Sequence, residues 1–446
     1  MNRHHRLAWA VCLTPLAVLS GVLAATHPTG AAFAVGVAAA GVLLANQLRH
    51  LRSGSGVEAL GLGLISIGIF TVSWNGMRAP GALGHIGDVS DMFLLLGSPL
   101  ILLGWLASKD IQAFPREPWY YLGGSLLVIG GLLGEMESGG GSRGLAFAII
   151  SVMILPLVIA LGKRPRLIAS AFVAGTTVNA LVADSDRWRH THYGYRETDI
   201  IIGRVAGLSF HPNHLGVCCA MAVALALGLA AKQRWWLIPV PLLILGAVAT
   251  SSRGALALVP VAALFVLLVD RGFRQRYLAT VVLGFAILAT VAYATGKTTP
   301  QAFGYNRQNV YISDQNRLQG LAQAWSDFTN HPLTGNGYTV INEGAENAYL
   351  EFAQGGGILA VTGIALVICS SFLTAVRLRR DPLAAATAAA VLVVAGNMLV
   401  QNQATSRHLY VPVGLALALS FITQRAEVGE LAVSAPSGVP PALRVG

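Results

Sequence analysis

Polar residues with chemical potential gather in four stretches of this sequence, and each leads into or out of an apolar run. Gly344-Ala-Glu-Asn-Ala-Tyr-Leu-Glu-Phe352 places Glu346 and Asn347 at the edge of such a run and Glu351 about one turn inside it. A carboxylate inside an apolar span is costly and is usually paired or functional. Glu346 with Tyr349, and Asn347 with Glu351, are spaced so that a helix puts each pair on one face. Arg204 precedes an apolar stretch that starts near Pro212, with Asn213 beside the proline, and Arg253 lies in the tight turn Thr250-Ser-Ser-Arg-Gly254. Arg317 and His331-Pro332 belong to a long polar loop that continues into Gly335-Asn-Gly-Tyr338. Arginine grips phosphate oxygens bidentately and keeps its proton. A carboxylate or imidazole within hydrogen-bond reach of a hydroxyl can take that hydroxyl's proton. Charges so placed call for a partner or a ligand.

Plainer readings stand beside these. Arg204 can snorkel to lipid headgroups. Arg307 reads as a solvated charge, and Asn397, Gln401 and Asn402 read as interhelical hydrogen-bonding groups that could also complete a polar pocket. The Gly-Asn-Gly run reads as a turn and not a phosphate loop, because no strand precedes it and no G-K-[ST] follows. Histidines 85, 190 and 192 show no metal-ligand spacing, and no metal or cofactor is expected. Cys12, Cys218, Cys219 and Cys369 all lie in apolar runs, where buried small hydrophobes are the expectation.

The elements that must carry these residues follow from composition. Of 446 residues, 54% are hydrophobic and only 11% charged, with mean hydropathy +0.62. Soluble domains carry about 25% charged residues. An ordinary cytosolic enzyme, a disordered chain and a fibrous repeat are excluded. Apolar stretches long enough to span a bilayer fall near 7–25, 30–47, 57–74, 91–107, 119–135, 144–162, 166–184, 212–231, 236–250, 254–270, 277–295, 347–376, 383–400 and 408–423. The short pair at 236–250 and 254–270 could be broken or re-entrant, so an all-α polytopic fold of about 12–14 transmembrane helices is expected. It forms one domain over 1–428, followed by a disordered tail over 429–446. Gly130-x-x-x-Gly134 fits close helix packing.

The net charge of +10 invites a nucleic-acid reading, but topology explains it better. With the N-terminus inside and spans alternating, nineteen of the thirty Lys and Arg residues fall on the cytoplasmic side. The outer side is then slightly acidic, both termini are cytoplasmic, and Arg204, Arg253 and Arg317 are local exceptions outside. Two long outer segments result, near 184–211 and 294–345. Loops of that length are usually functional. Within the second, Leu318, Leu321, Trp325 and Phe328 recur at helical spacing over about 313–329. That predicts an amphipathic helix, lying at the interface or capping the bundle, with Arg317 at the flank of the apolar stripe.

Taken in order, Arg204-x-x-Gly207-x-x-Phe210-x-Pro212-Asn213, Ser251-Ser-Arg-Gly254, Asn316-Arg317, Trp325, His331-Pro-Leu-Thr-Gly-Asn-Gly337, Glu346-Asn-x-Tyr-Leu350 and Gly355-Gly-Gly357 resemble the O-antigen ligase and Wzy-type polymerase superfamily. The resemblance covers roughly 200–360. It implies a membrane-embedded glycosyltransferase fold of the GT-C kind in the bacterial plasma membrane. It also implies a polyprenyl-diphosphate-linked saccharide donor, a glycan or lipid hydroxyl acceptor, and no metal or nucleotide sugar. Carried onto these residues, the resemblance gives Arg204, Arg253 and Arg317 the donor diphosphate and Glu346 the role of base, with His331 as the other candidate. Asn213, Asn347, Tyr349 and Glu351 become substrate-positioning groups. This chain departs from the family at one place: the usual His-Asn pair at the end of the long loop is Glu346-Asn347. A secondary transporter or lipid-linked-glycan flippase is the rival reading, and a non-catalytic scaffold the third. Transporters keep their charges near the bilayer midplane, whereas these residues cluster toward one face.

Overall fold

The computed structural model describes residues 56–77, 88–107, 114–139, 143–189, 204–269, 307–338, 346–401 and 404–434. The spans expected at 7–25, 30–47 and 277–295, the loop before 307, His85, His190, His192 and Asn402 lie outside the described residues. The described chain is all-helical and polytopic. In order come α1 (Gly56–Thr71), α2 (Val89–Leu106), α3 (Pro118–Ser138), α4 (Arg143–Ile149), a π-turn (Ile150–Ile154), α5 (Leu155–Leu161) and α6 (Pro165–Arg189). Then follow α7 (Pro212–Ala230), α8 (Pro239–Ala249), α9 (Arg253–Val269), α10 (Arg307–Asn330), α11 (Ala348–Arg377), α12 (Pro382–Met398) and α13 (Val411–Ser434). Among the described residues six helices are long and apolar enough to cross a membrane, and four more apolar helices are shorter. The expected boundaries hold to within a few residues. Two differ more: α10 starts at Arg307, before the expected 313, and α13 runs on to Ser434, into the stretch assigned to a tail.

The helix α7 is the hub. It packs on α6, α8, α9 and α12, and nearly all its side chains are buried. Its sequence, rich in Ala, Leu and Gly with no charge, suits a helix surrounded on every side. Cys218 and Cys219 are buried there, whereas Cys369 on α11 is exposed.

Among the described residues the most extensive helix contact is that of α3 with α11. A Cβ on Gly123 would stand 2.6 Å from the Gly363 carbonyl oxygen, and one on Gly130 would stand 2.5 Å from that of Gly356. Gly134 is tighter still against the Gly355 carbonyl. Backbones therefore touch directly along a small-residue seam. At the same level α11 is broken: Gly356 and Gly357 have non-helical backbone, with φ +62 at Gly357. Backbone groups freed inside an apolar bundle need partners, and the loop 331–338 supplies them. Ile358 N–H donates to the Pro332 carbonyl (2.8 Å), and the Gln354 carbonyl accepts from Asn336 N–H (2.6 Å). The His331-Pro-Leu-Thr-Gly-Asn-Gly337 motif is thus the plug of a broken helix.

Loops sort between the two ends of the bundle as the alternation predicts. Glu117 accepts from Thr374 (2.9 Å) and Ser420 (2.5 Å), and Asp381 lies 3.7 Å from Arg166 at that same end. The residues of the candidate site gather at the other.

Candidate active site

Three short elements converge at that other end: the entry to α7, the α8–α9 turn, and the junction of α10 with the start of α11. Arg204 Nε donates to the Thr250 carbonyl (3.1 Å), and its Nη2 donates to Asn213 Oδ1. Asn213, buried in the first turn of α7, passes its own N–H to Gln401 Oε1 (2.8 Å). Arg204 is therefore held across the turn that carries Arg253. In that turn Thr250 Oγ1 donates to the Ala247 carbonyl (2.7 Å) and accepts from Ser252 N–H (3.2 Å), and Ser251 has φ +49. The resulting chain reversal sends Arg253 across to α10, where its Nη2 meets Asp314 Oδ1 at 2.7 Å. Arg317, one turn further along α10, lies 3.9 Å from the same oxygen and brings its Nε to 2.6 Å from Glu346 Oε2.

Glu346 sits just before α11 with φ +40. That is unusual for a residue with a side chain and is the kind of local strain found at functional sites. The Arg317 Nε and Glu346 Oε2 atoms are sealed from solvent, yet poorly aligned for a hydrogen bond. Burial pushes the Glu346 carboxyl above its ordinary pKa, and Arg317 first, then Arg204 and Arg253, pull it back down. All three guanidiniums thus act on one carboxylate. Asp314 is held below its ordinary value, chiefly by the hydrogen bond from Arg253. Three arginines and the carboxylates of Asp314 and Glu346 thus share one cluster. His211 caps α7, with its Nδ1 accepting from Asn213 N–H (3.1 Å), which puts the ring proton on Nε2. Burial, then Arg204 and Arg317, lower its pKa to about 4, so it stays neutral beside the arginines.

The other expected site residues have different duties. The i,i+3 and i,i+4 pairing of Glu346 with Tyr349 and of Asn347 with Glu351 does not form, because the helix begins only at Ala348. Asn347 is its N-cap: Oδ1 accepts from Leu350 N–H (3.0 Å), and Nδ2 donates to the Leu399 carbonyl (3.1 Å). Tyr349 donates to the Ala395 carbonyl (3.4 Å), so both residues fasten the start of α11 to α12 and set where Glu346 stands. Glu351 Oε2 accepts from Ala404 N–H (2.8 Å) and ties down the 404–410 segment. His331 pairs with Glu137 (3.6 Å), about 20 Å along α10 from Arg317, and is not brought to the arginines. The apolar stripe of α10 is divided, with Leu321 and Phe328 half-buried toward the bundle. Leu318 and Trp325 are 60% and 57% exposed, while Gly320 and Ala324 turn inward on the same side as Arg317. Leu318 and Trp325 are thus on the outer side of the helix and Arg317 on the inner side.

Sequence reasoning missed Asp314, although its place three residues before Arg317 is the spacing that couples opposite charges on a helix. It also missed a cavity of about 320 Å³ lined by Asn75, Asp88, Phe210, His214, Ser406 and Arg407, among others. The cavity shares the entry to α7 with the arginine cluster: Phe210 and His214 face it, and Asn213 between them holds Arg204. Asn75 orders that entry, accepting from Phe210 N–H (2.9 Å) and meeting His214 Nδ1 at 2.5 Å. Arg407 Nε lies 2.7 Å from Asp91 Oδ1, with side chains only 18% and 6% exposed. The available signal was Asp91 itself, a carboxylate at the mouth of an apolar span. Asp91→Ala leaves a buried unpaired guanidinium and is expected to lower stability by about 3–5 kcal/mol. Thermal unfolding in detergent measures this, and adding Arg407→Met should recover most of the loss. An unchanged midpoint in the single variant would contradict the pairing.

Fold and site together define a multi-pass membrane protein with a cationic, carboxylate-bearing cluster at one end of its helical bundle. Residues 238–363 match a family model described as O-Antigen ligase. That segment holds Arg253, Asp314, Arg317, His331, Glu346, Asn347, Tyr349 and Glu351, while Arg204 and Asn213 lie before it. The resemblance read from the motifs is upheld there, and the match supports glycan processing of the O-antigen ligase or polymerase type. No curated protein matches the chain.

Proposed function

We propose that this protein is a glycosyltransferase of the outer face of the bacterial plasma membrane. It passes saccharide from a polyprenyl-diphosphate carrier to a hydroxyl acceptor, by ligation or by polymerisation. The observation that carries this reading is the meeting of Arg204, Arg253 and Arg317 around Glu346. The donor diphosphate binds the arginines. The acceptor oxygen attacks the anomeric carbon, its proton passes to Glu346, and the carbon–oxygen bond to the carrier breaks with its electron pair leaving on the diphosphate. Fixed guanidiniums at the departing oxygens are preorganised stabilisation of the developing charge. They take the place of a metal ion, so transfer is expected to persist in a chelator.

Binding of donor also readies the base. Arg317 favours the charged form of Glu346 against the effect of burial in the free protein. When Arg317 turns to phosphate oxygens, that support weakens, and the carboxylate becomes a stronger proton acceptor. The neighbouring cavity suits the acceptor's sugar. Arg407 there is paired with Asp91. The cavity's hydrogen-bonding rim and the exposed ring of Phe210 suit a neutral polyhydroxylated ligand.

The test is reconstitution of the purified protein in vesicles with a polyprenyl-diphosphate-linked saccharide and a candidate glycolipid acceptor. Acceptor-dependent release of polyprenyl diphosphate, with saccharide on the acceptor, is expected. Movement of the intact lipid-linked saccharide across the bilayer without transfer would replace this reading with a transporter or flippase. In cells, deletion separates the two reactions: missing polymer with single repeat units remaining means polymerase, and polymer stranded on its carrier means ligase.

A further inference from the structure

The opposite end of the bundle carries a second cavity, of about 580 Å³, that the transfer reaction does not use. Lys163, Arg164 and Arg166 reach it from the α5–α6 connection, and Lys232 reaches it from the end of α7. Among the described residues of its lining the carboxylate is Asp381, at the start of α12 and 3.7 Å from Arg166. Basic side chains thus dominate that lining. A cytoplasmic bias of basic residues is expected of any such protein, but that bias needs only solvated side chains spread over loops. Here the cations converge from two loops, and the floor of the cavity is apolar, with Leu229, Leu419 and Ile422 contributed by α7 and α13. Trp235, 53% exposed and stacked on Trp236 with centroids 4.0 Å apart, stands at its edge as an interfacial aromatic.

We propose that this cavity binds an anionic phospholipid, its phosphate headgroup among Lys163, Arg164 and Lys232 and its acyl chains running along Leu419 and Ile422. A free inorganic phosphate would use the cations and leave the apolar floor and the tryptophan edge unexplained. A lipid uses all of them, and by touching α6, α7, α12 and α13 at once it ties together the cytoplasmic ends of the bundle. Basic recesses between spanning helices at this face recognise anionic headgroups by the same physics.

The full chain is purified in detergent and compared with the Arg164→Gln/Lys232→Gln double variant, both positions being exposed. Native mass spectrometry and thermal unfolding are recorded with phosphatidylglycerol, phosphatidylcholine or inorganic phosphate added. The wild-type protein is expected to retain phosphatidylglycerol in preference to phosphatidylcholine and to unfold at a higher temperature with it. Each basic side chain near a headgroup is worth about fivefold in affinity, so the double variant should bind phosphatidylglycerol about 25-fold more weakly. Its unfolding in phosphatidylcholine should be unchanged. If the double variant does not fold, Lys232→Gln alone is used, with about a fivefold loss expected. Equal retention of the two lipids, an unaltered preference in the variant, or equal stabilisation by inorganic phosphate overturns the proposal.

Discussion

Arg317→Ala is expected to reduce glycan transfer by about 100- to 1000-fold, the loss typical when one preorganised donor to a developing oxyanion is removed. Arg317 is the arginine in direct contact with Glu346, at 2.6 Å, and it shares Asp314 with Arg253. Its deletion withdraws charge from the departing diphosphate and removes the group that aims the base. Arg317→Lys keeps the charge but not the planar fork, and should fall between the wild-type protein and Arg317→Ala. The measurement is initial rate against donor concentration in vesicles, with protein level checked. The loss should fall mainly on kcat, because the interaction strengthens as charge develops on the leaving oxygen. Transfer within threefold of wild type would remove Arg317 from the reaction. Arg253→Ala is expected to cost less, since Arg253 is nearly half exposed and engaged with Asp314.

Glu346→Gln carries the second large effect, a loss of about 100- to 10,000-fold, the range of a positioned general base. The pH dependence separates a base from a structural carboxylate. A base works deprotonated, so activity is present above the Glu346 pKa and lost as pH falls through it. Burial has raised that pKa above the ordinary glutamate value, so the acid limb of kcat/KM should lie above the limb of an exposed glutamate. With donor bound, the arginines divide their charge between phosphate and carboxylate, and the limb of kcat should lie higher again. In Glu346→Gln the limb disappears and the residual rate is flat with pH. If His331 is the base instead, Glu346→Gln retains the limb and His331→Ala loses it.

Local chemistry carried much of this protein into its sequence. Spans such as Pro212–Ala230 and Ala348–Arg377 are legible because about 20 apolar residues without charge can lie only in a bilayer or a core. Arg204, Arg253 and Glu346 are legible because a charge beside such a span is expensive unless it has a partner or a task. The order of these motifs was enough to point to the family that residues 238–363 match.

Partners remote in sequence were not legible. Asp91 and Arg407 are more than 300 residues apart, and nothing local in either predicts that they meet at 2.7 Å. His331 looked like a catalytic base because an imidazole within reach of a hydroxyl can take its proton. Packing instead put it beside Glu137, at the far end of α10. Asn347 and Tyr349 looked like substrate groups; Asn347 instead caps the helix that begins at Ala348, and both fasten its start to α12. What the sequence determined by itself was which residues must lie in the membrane and which charges at its surface needed a reason, because solvation energy acts on each residue separately. Which charge answers which, and therefore that Glu346 stands against Arg317 while Glu351 holds a backbone amide, only the tertiary structure decided. Those assignments rest on the packing of helices far apart in the chain, and short-range periodicity holds no record of it.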